Sequence, residues 1–93
     1  MYYYGTGRQD TVQHVAYTGT AGTITNAVGT QCRRVRILVT TDAYVKIGNS
    51  PTATTNDTYV TAGIPEYWTI TPGQKVSAVQ VASGGTLNVT EMV

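Results

Sequence analysis

The 93-residue chain has one cysteine, one histidine, no phenylalanine and few charges. Each scarcity excludes something. With Cys32 alone, no disulfide can form within the chain, and one His with one Cys falls short of the four ligands a structural zinc site takes. Charged residues make up 12% of the chain and the net charge is +1, so the basic excess that carries nucleic-acid affinity is missing. Nucleic acid is therefore not an expected partner. No apolar run approaches the length of a membrane span, and residues 1–10 hold no signal-like segment, so a membrane is not expected either. A lone thiol without an export signal favours synthesis in a reducing cytoplasm. No cofactor is implied.

What is abundant is threonine, valine, tyrosine and glycine, the composition of a pleated sheet rather than a helix. Strand-like segments recur at short intervals between turn residues: 11–18, 23–28, 33–40, 43–47, 58–62, 66–71, 75–82 and 86–91. In the third, Val35, Ile37 and Val39 alternate with Arg34, Arg36 and Leu38, and in the fourth Val45 and Ile47 face inward against Tyr44 and Lys46. Trp68 and Ile70 share a face, and Val79 and Val81 mark the seventh segment. Gly48 to Asp57 reads as a loop. Thr41-Asp42, Pro72-Gly73 and Gly84-Gly85 carry the strongest hairpin signals. The expectation is an all-β fold, a small antiparallel β-sandwich or jelly-roll-like barrel of seven or eight short strands. It spans residues 11–93 as a single domain, preceded by an extended arm over 1–10. The faces of Trp68 and Ile37 are expected to meet across two sheets.

Few residues point to chemistry. Asp10, Asp42, Asp57, Glu66 and Glu91 lie at no catalytic or metal-binding spacing, and a turn Asp bonded to nearby backbone is the simpler reading for those at turns. Asp57 with Asn56 and the neighbouring threonine hydroxyls is the one candidate for calcium, well short of the converging oxygens such a site takes. His14 shares a face with Val12 and Ala16 but has no nucleophile or orienting partner in view. Cys32 beside Arg33 and Arg34 is either a thiol of lowered pKa or a small packing residue. An enzyme is not expected.

Two features read as contact surfaces. Arg33, Arg34 and Arg36 hold half of the six positive side chains within four positions. They are either a solvated sheet face or a patch for an acidic protein surface, because arginine's planar fork pairs well with carboxylates. Tyr2, Tyr3 and Tyr4, with Arg8 close behind, cannot all bury in one small core, since strand geometry alternates their directions. They form either a free tail or an arm that orders against a neighbour, tyrosine burying large area at low entropic cost.

Several segments between Arg33 and Met92 resemble a group of small proteins encoded among the structural genes of tailed bacteriophages. They are Arg33-Arg34-Val35-Arg36, Thr41-Asp42-Ala43-Tyr44-Val45-Lys46-Ile47-Gly48, Pro51-Thr52-Ala53-Thr54, Pro65-Glu66-Tyr67, Pro72-Gly73-Gln74-Lys75-Val76 and Gly85-Thr86-Leu87-Asn88-Val89-Thr90-Glu91. Most are turn and core residues, so the likeness speaks to fold and gene context more than to a site. It implies a virion component made in the host cytoplasm. The leading expectation is a capsid decoration (cement) protein that binds the major capsid protein or another virion protein. A head–tail connector or a tail or fibre part is the alternative. Such a protein is expected to be a homo-oligomer, with a trimer favoured by analogy with other decoration proteins. A reading of another class is a glycan- or host-surface-binding module that uses Tyr44, Tyr59, Tyr67 and Trp68 as stacking platforms, although alternation puts Trp68 in the core and Tyr67 outside, which splits the set.

Overall fold

A computed structural model describes residues 9–93 and contains eight strands in two four-stranded antiparallel sheets. The strands are β1 (Gln9–Tyr17), β2 (Gly22–Thr23), β3 (Arg34–Val39), β4 (Ala43–Gly48), β5 (Thr58–Val60), β6 (Glu66–Thr69), β7 (Lys75–Gln80) and β8 (Gly85–Met92). One sheet has the order β1-β8-β3-β6 and the other β2-β7-β4-β5. This is the connectivity of an eight-stranded jelly roll.

The topology follows from one long hairpin that is rolled up. β4 pairs with β5, β3 with β6, β2 with β7 and β1 with β8, all nested about the loop over 49–57. Rolling this ribbon brings β3 beside β8 and β4 beside β7, which completes the two sheets. Both arms of the ribbon bend together wherever it passes from one sheet to the other. At one bend the Gly63 N–H donates to the Val39 carbonyl, and at another Val28 N–H donates to Gln74 O while Gly73 N–H returns to Val28 O.

The three expected hairpins are corrected by this arrangement. Thr41-Asp42 joins β3 to β4, Pro72-Gly73 joins β6 to β7, and Gly84-Gly85 lies between β7 and β8, and in each case the two strands belong to different sheets. The turn chemistry is real: Gly73 has φ +90°, a conformation that glycine adopts without penalty. The turns bend the ribbon between sheets instead of pairing consecutive strands. Among the described strands only β4 and β5 are both consecutive and paired.

Alternation places the core as expected in β3, where Val35, Ile37 and Val39 are buried between half-buried Arg34, Arg36 and Leu38. Leu87 and Val89 of β8 lie beside them in the same sheet, Ala43 and Val45 of β4 come from the opposite sheet, and Tyr17, Ile24 and Val60 close the core. In β7 the inward residues are Val76 and Ala78, which pair with Ile47 and Val45, while Val79 and Val81 fall on the outer face. Trp68 is half-buried against the core. It neighbours Val35 within one sheet, so it does not face Ile37 across two.

Candidate functional site

The β1-β8-β3-β6 sheet presents one outer face built from alternate residues of four strands. Its rows follow from the register. Val12, Thr90, Arg36 and Tyr67 form one row, and Met92, Arg34 and Thr69 form the next toward the open end of the sandwich. His14, Asn88 and Leu38 form the row on the other side. Arg34 and Arg36, on a strand paired on both sides, are half-buried, while Tyr67 and Val12 stay open to solvent. A long arginine stem can lie partly covered on such a face while its guanidinium reaches the surface.

Arg33 is separated from this pair. It precedes β3 at the end of the sandwich, is exposed, and contributes its carbonyl to the Ile70 N–H. Tyr2, Tyr3, Tyr4 and Arg8 lie outside the described residues, and β1 begins at Gln9, two positions before the expected strand start. His14 is exposed on the same face as Arg36.

Of the two readings of Cys32, the structure supports packing. The thiol is fully buried and donates to the Arg34 carbonyl at 3.3 Å. Burial, with the Glu91 carboxylate adding to it, pushes the Cys32 pKa up, the opposite of an activated nucleophile. Asp57 is a turn residue: its Oδ2 accepts from the Thr54 N–H at 2.7 Å and from the Thr54 hydroxyl at 3.3 Å. Glu91 is buried, and its Oε1 accepts the Gly29 N–H, tying the β2–β3 crossing to β8.

The second outer face, on the β2-β7-β4-β5 sheet, is divided. Its lower half is covered by the 49–57 loop of the same chain. Ala53 N–H donates to the Ser77 hydroxyl, the Thr23 hydroxyl bonds Ser77 and the Pro51 carbonyl, and Pro51 and Ala53 are buried. Its upper half carries Tyr44 and Tyr59 as a T-shaped pair with ring centroids 5.6 Å apart. Beside them lies Val79, the direct cross-strand neighbour of Tyr44. Asp42 stands at the edge of this group, accepting the Tyr59 hydroxyl on Oδ2 at 2.5 Å and the Ala62 N–H on Oδ1 at 2.8 Å. Those two donors hold the Asp42 carboxyl below its usual range, with the Tyr59 hydroxyl the larger cause, and the same bond pushes the Tyr59 phenol up. Sequence reading took Asp42 for a turn residue alone. Its pairing with a side chain seventeen positions away has no local signature.

The four aromatic residues expected to serve as stacking platforms are thus dispersed. Tyr44 and Tyr59 share one outer face, Tyr67 lies on the opposite one, and Trp68 packs inward with its indole N–H donated to Glu66 Oε1 at 3.0 Å. Comparison of the chain with protein-family models, with curated proteins and with solved structures gave no match.

Proposed function

We propose that the chain is a non-enzymatic structural protein of a phage-type virion, a decoration protein that attaches to the assembled capsid shell. The attachment surface is the outer face of the β1-β8-β3-β6 sheet. The observation that carries this reading is the row Val12, Thr90, Arg36, Tyr67 with Arg34 beside it. An aromatic ring, apolar groups and partly covered arginines on one sheet face have the composition of a protein interface, in which Tyr and Arg are enriched and Lys and Glu depleted. The resemblance between Arg33 and Met92 supplies the virion context. Repetition over a shell lets a modest patch on each subunit suffice, through avidity. The arm containing Tyr2, Tyr3, Tyr4 and Arg8 contributes contacts to a neighbouring copy in a homo-oligomer.

The test is sedimentation of the purified protein with assembled shells of the phage that encodes it. Arg34→Glu with Arg36→Glu should lower the bound fraction while the thermal midpoint holds, and the wild-type attachment should weaken as salt rises, because charge pairs at a rim are screened. Attachment by the double variant at the wild-type level would exclude this face. Loss of attachment on deleting residues 1–8, with the β domain still folded, would assign the arm its share.

A further inference from the structure

Outside the proposed attachment face, one feature left without a role is the aromatic pair on the upper half of the opposite face. We propose that Tyr44, Tyr59 and Asp42 form a shallow binding site for a neutral saccharide. Three observations converge on it. First, the two rings stand at 88° to each other with centroids 5.6 Å apart, so they form a corner, with Val79 buried next to Tyr44. Tyr59 is 48% exposed and Val81, next along the same face, 37%. The negative faces of such rings attract the slightly positive C–H groups that a pyranose presents on one side.

Second, a hydrogen-bond acceptor sits fixed at the rim. Each Asp42 oxygen already holds one donor, which orients the group, and an ionised carboxylate offers about four acceptor positions in all. About two remain for vicinal hydroxyls of a sugar stacked on the rings. Third, the surface is bounded. The chain's own 49–57 loop covers the lower half of the same face through Ser77 and Thr23, and the bend at 61–63 is held to Asp42 at the other side. A macromolecular docking face would extend over the sheet, and here the chain itself occupies the remainder. An apolar floor with a few convergent polar groups is the usual anatomy of a small-ligand site. An acidic sugar is disfavoured because its charge would meet the Asp42 carboxylate.

This site lies on the side of the sandwich opposite Arg34 and Arg36, so it is independent of the shell-binding proposal and can fail separately. The experiment is a nitrogen–proton NMR titration with methyl glycosides of glucose, galactose, mannose and N-acetylglucosamine, preceded by a glycan array. The expected result is binding of at least one sugar, with shifts confined to residues 42–46, 59–62 and 79–81. Tyr59→Ala should weaken that binding by about tenfold or more, about 1.4 kcal/mol. Tyr59→Phe, which keeps the ring and frees Asp42 Oδ2, should retain it. Tyr67→Ala, on the other face, should leave it unchanged, and Asp42→Asn should weaken it with the thermal midpoint recorded alongside. No binding across the array and the four glycosides would overturn the proposal, and so would shifts centred on Tyr67 or equal affinity in Tyr59→Ala.

Discussion

Removing one oxygen atom, in Tyr17→Phe, should loosen the end of β1 and two bends of the rolled ribbon at once. The Tyr17 ring is buried at the end of β1, and its hydroxyl donates to the Thr41 carbonyl at 2.5 Å. The same oxygen accepts the Thr41 N–H at 3.2 Å and lies 3.0 Å from the Thr41 hydroxyl, which in turn donates to the Ser83 carbonyl. The end of β1, the β3–β4 bend and the β7–β8 bend therefore converge on one phenol. Phenylalanine keeps the packing and deprives the Thr41 backbone of both partners. A buried polar group left unpaired costs about 1–3 kcal/mol, and Thr41 is only half-buried, so water recovers part of the loss. The expected destabilisation is about 2 kcal/mol. For a domain of this size that corresponds to a fall in thermal midpoint of about 10 °C. Urea unfolding followed by the fluorescence of Trp68 gives the assay, and the midpoint should drop by about 1–2 M with an unchanged slope. A variant within about 0.3 kcal/mol of wild type would refute the claim that this phenol ties the bends together.

Other perturbations test other parts of the account. Gly22→Ala would place a Cβ 2.1 Å from the Ala16 carbonyl oxygen, a backbone atom that cannot move aside, so a loss of more than about 2 kcal/mol is expected in chemical denaturation. Trp68→Ala should cost about 2–3 kcal/mol by circular dichroism, less than the roughly 3–5 of a fully buried large aromatic, because the indole is only half-buried. The Asp42–Tyr59 bond gives a pH signature. Asp42, with its pKa lowered, contributes stability above about pH 4 that is lost as pH falls through its folded value, and Tyr59, with its pKa raised, contributes stability below about pH 10 that is lost as pH rises through its own. The stability difference between wild type and Tyr59→Phe should therefore be flat between these limits and shrink beyond both. A difference constant from pH 3 to pH 11 would contradict the bond.

Much of the fold was legible in the sequence where one face is buried and the other open. The 34–39 segment shows this best, because a one-residue slip would have driven Arg34 and Arg36 into the core. The β7 segment was harder. Its two faces carry Val76 and Ala78 on one side and Ser77, Val79 and Val81 on the other, so the outer side is the more apolar. Tertiary structure resolves the choice: the loop over 49–57 covers Ser77, and Tyr44 packs beside Val79. The turns misled for a different reason. Pro72-Gly73 and Gly84-Gly85 state that the chain bends, and a bend between sheets uses the same residues as a hairpin within one. Only the nested pairing of β1 with β8 and β2 with β7 distinguishes the two, and such long-range contacts leave no local trace. The contact surfaces were legible in part. Alternation alone put Arg34 and Arg36 on one face; Arg33, grouped with them in the sequence, precedes the strand and lies apart, and the meeting of Tyr44, Tyr59 and Asp42 depends on β4 and β5 pairing in one register.

The central claim, a protein that decorates a shell by repeated contacts, is tested most directly by its copy number in particles purified from cells that carry the genome encoding it. Quantitative gel staining against the major capsid protein measures it. The account predicts hundreds of copies per particle, as repeated attachment over a shell requires. A count of about a dozen or fewer would mean a single ring at a connector or tail, and absence from the particle would contradict the account altogether.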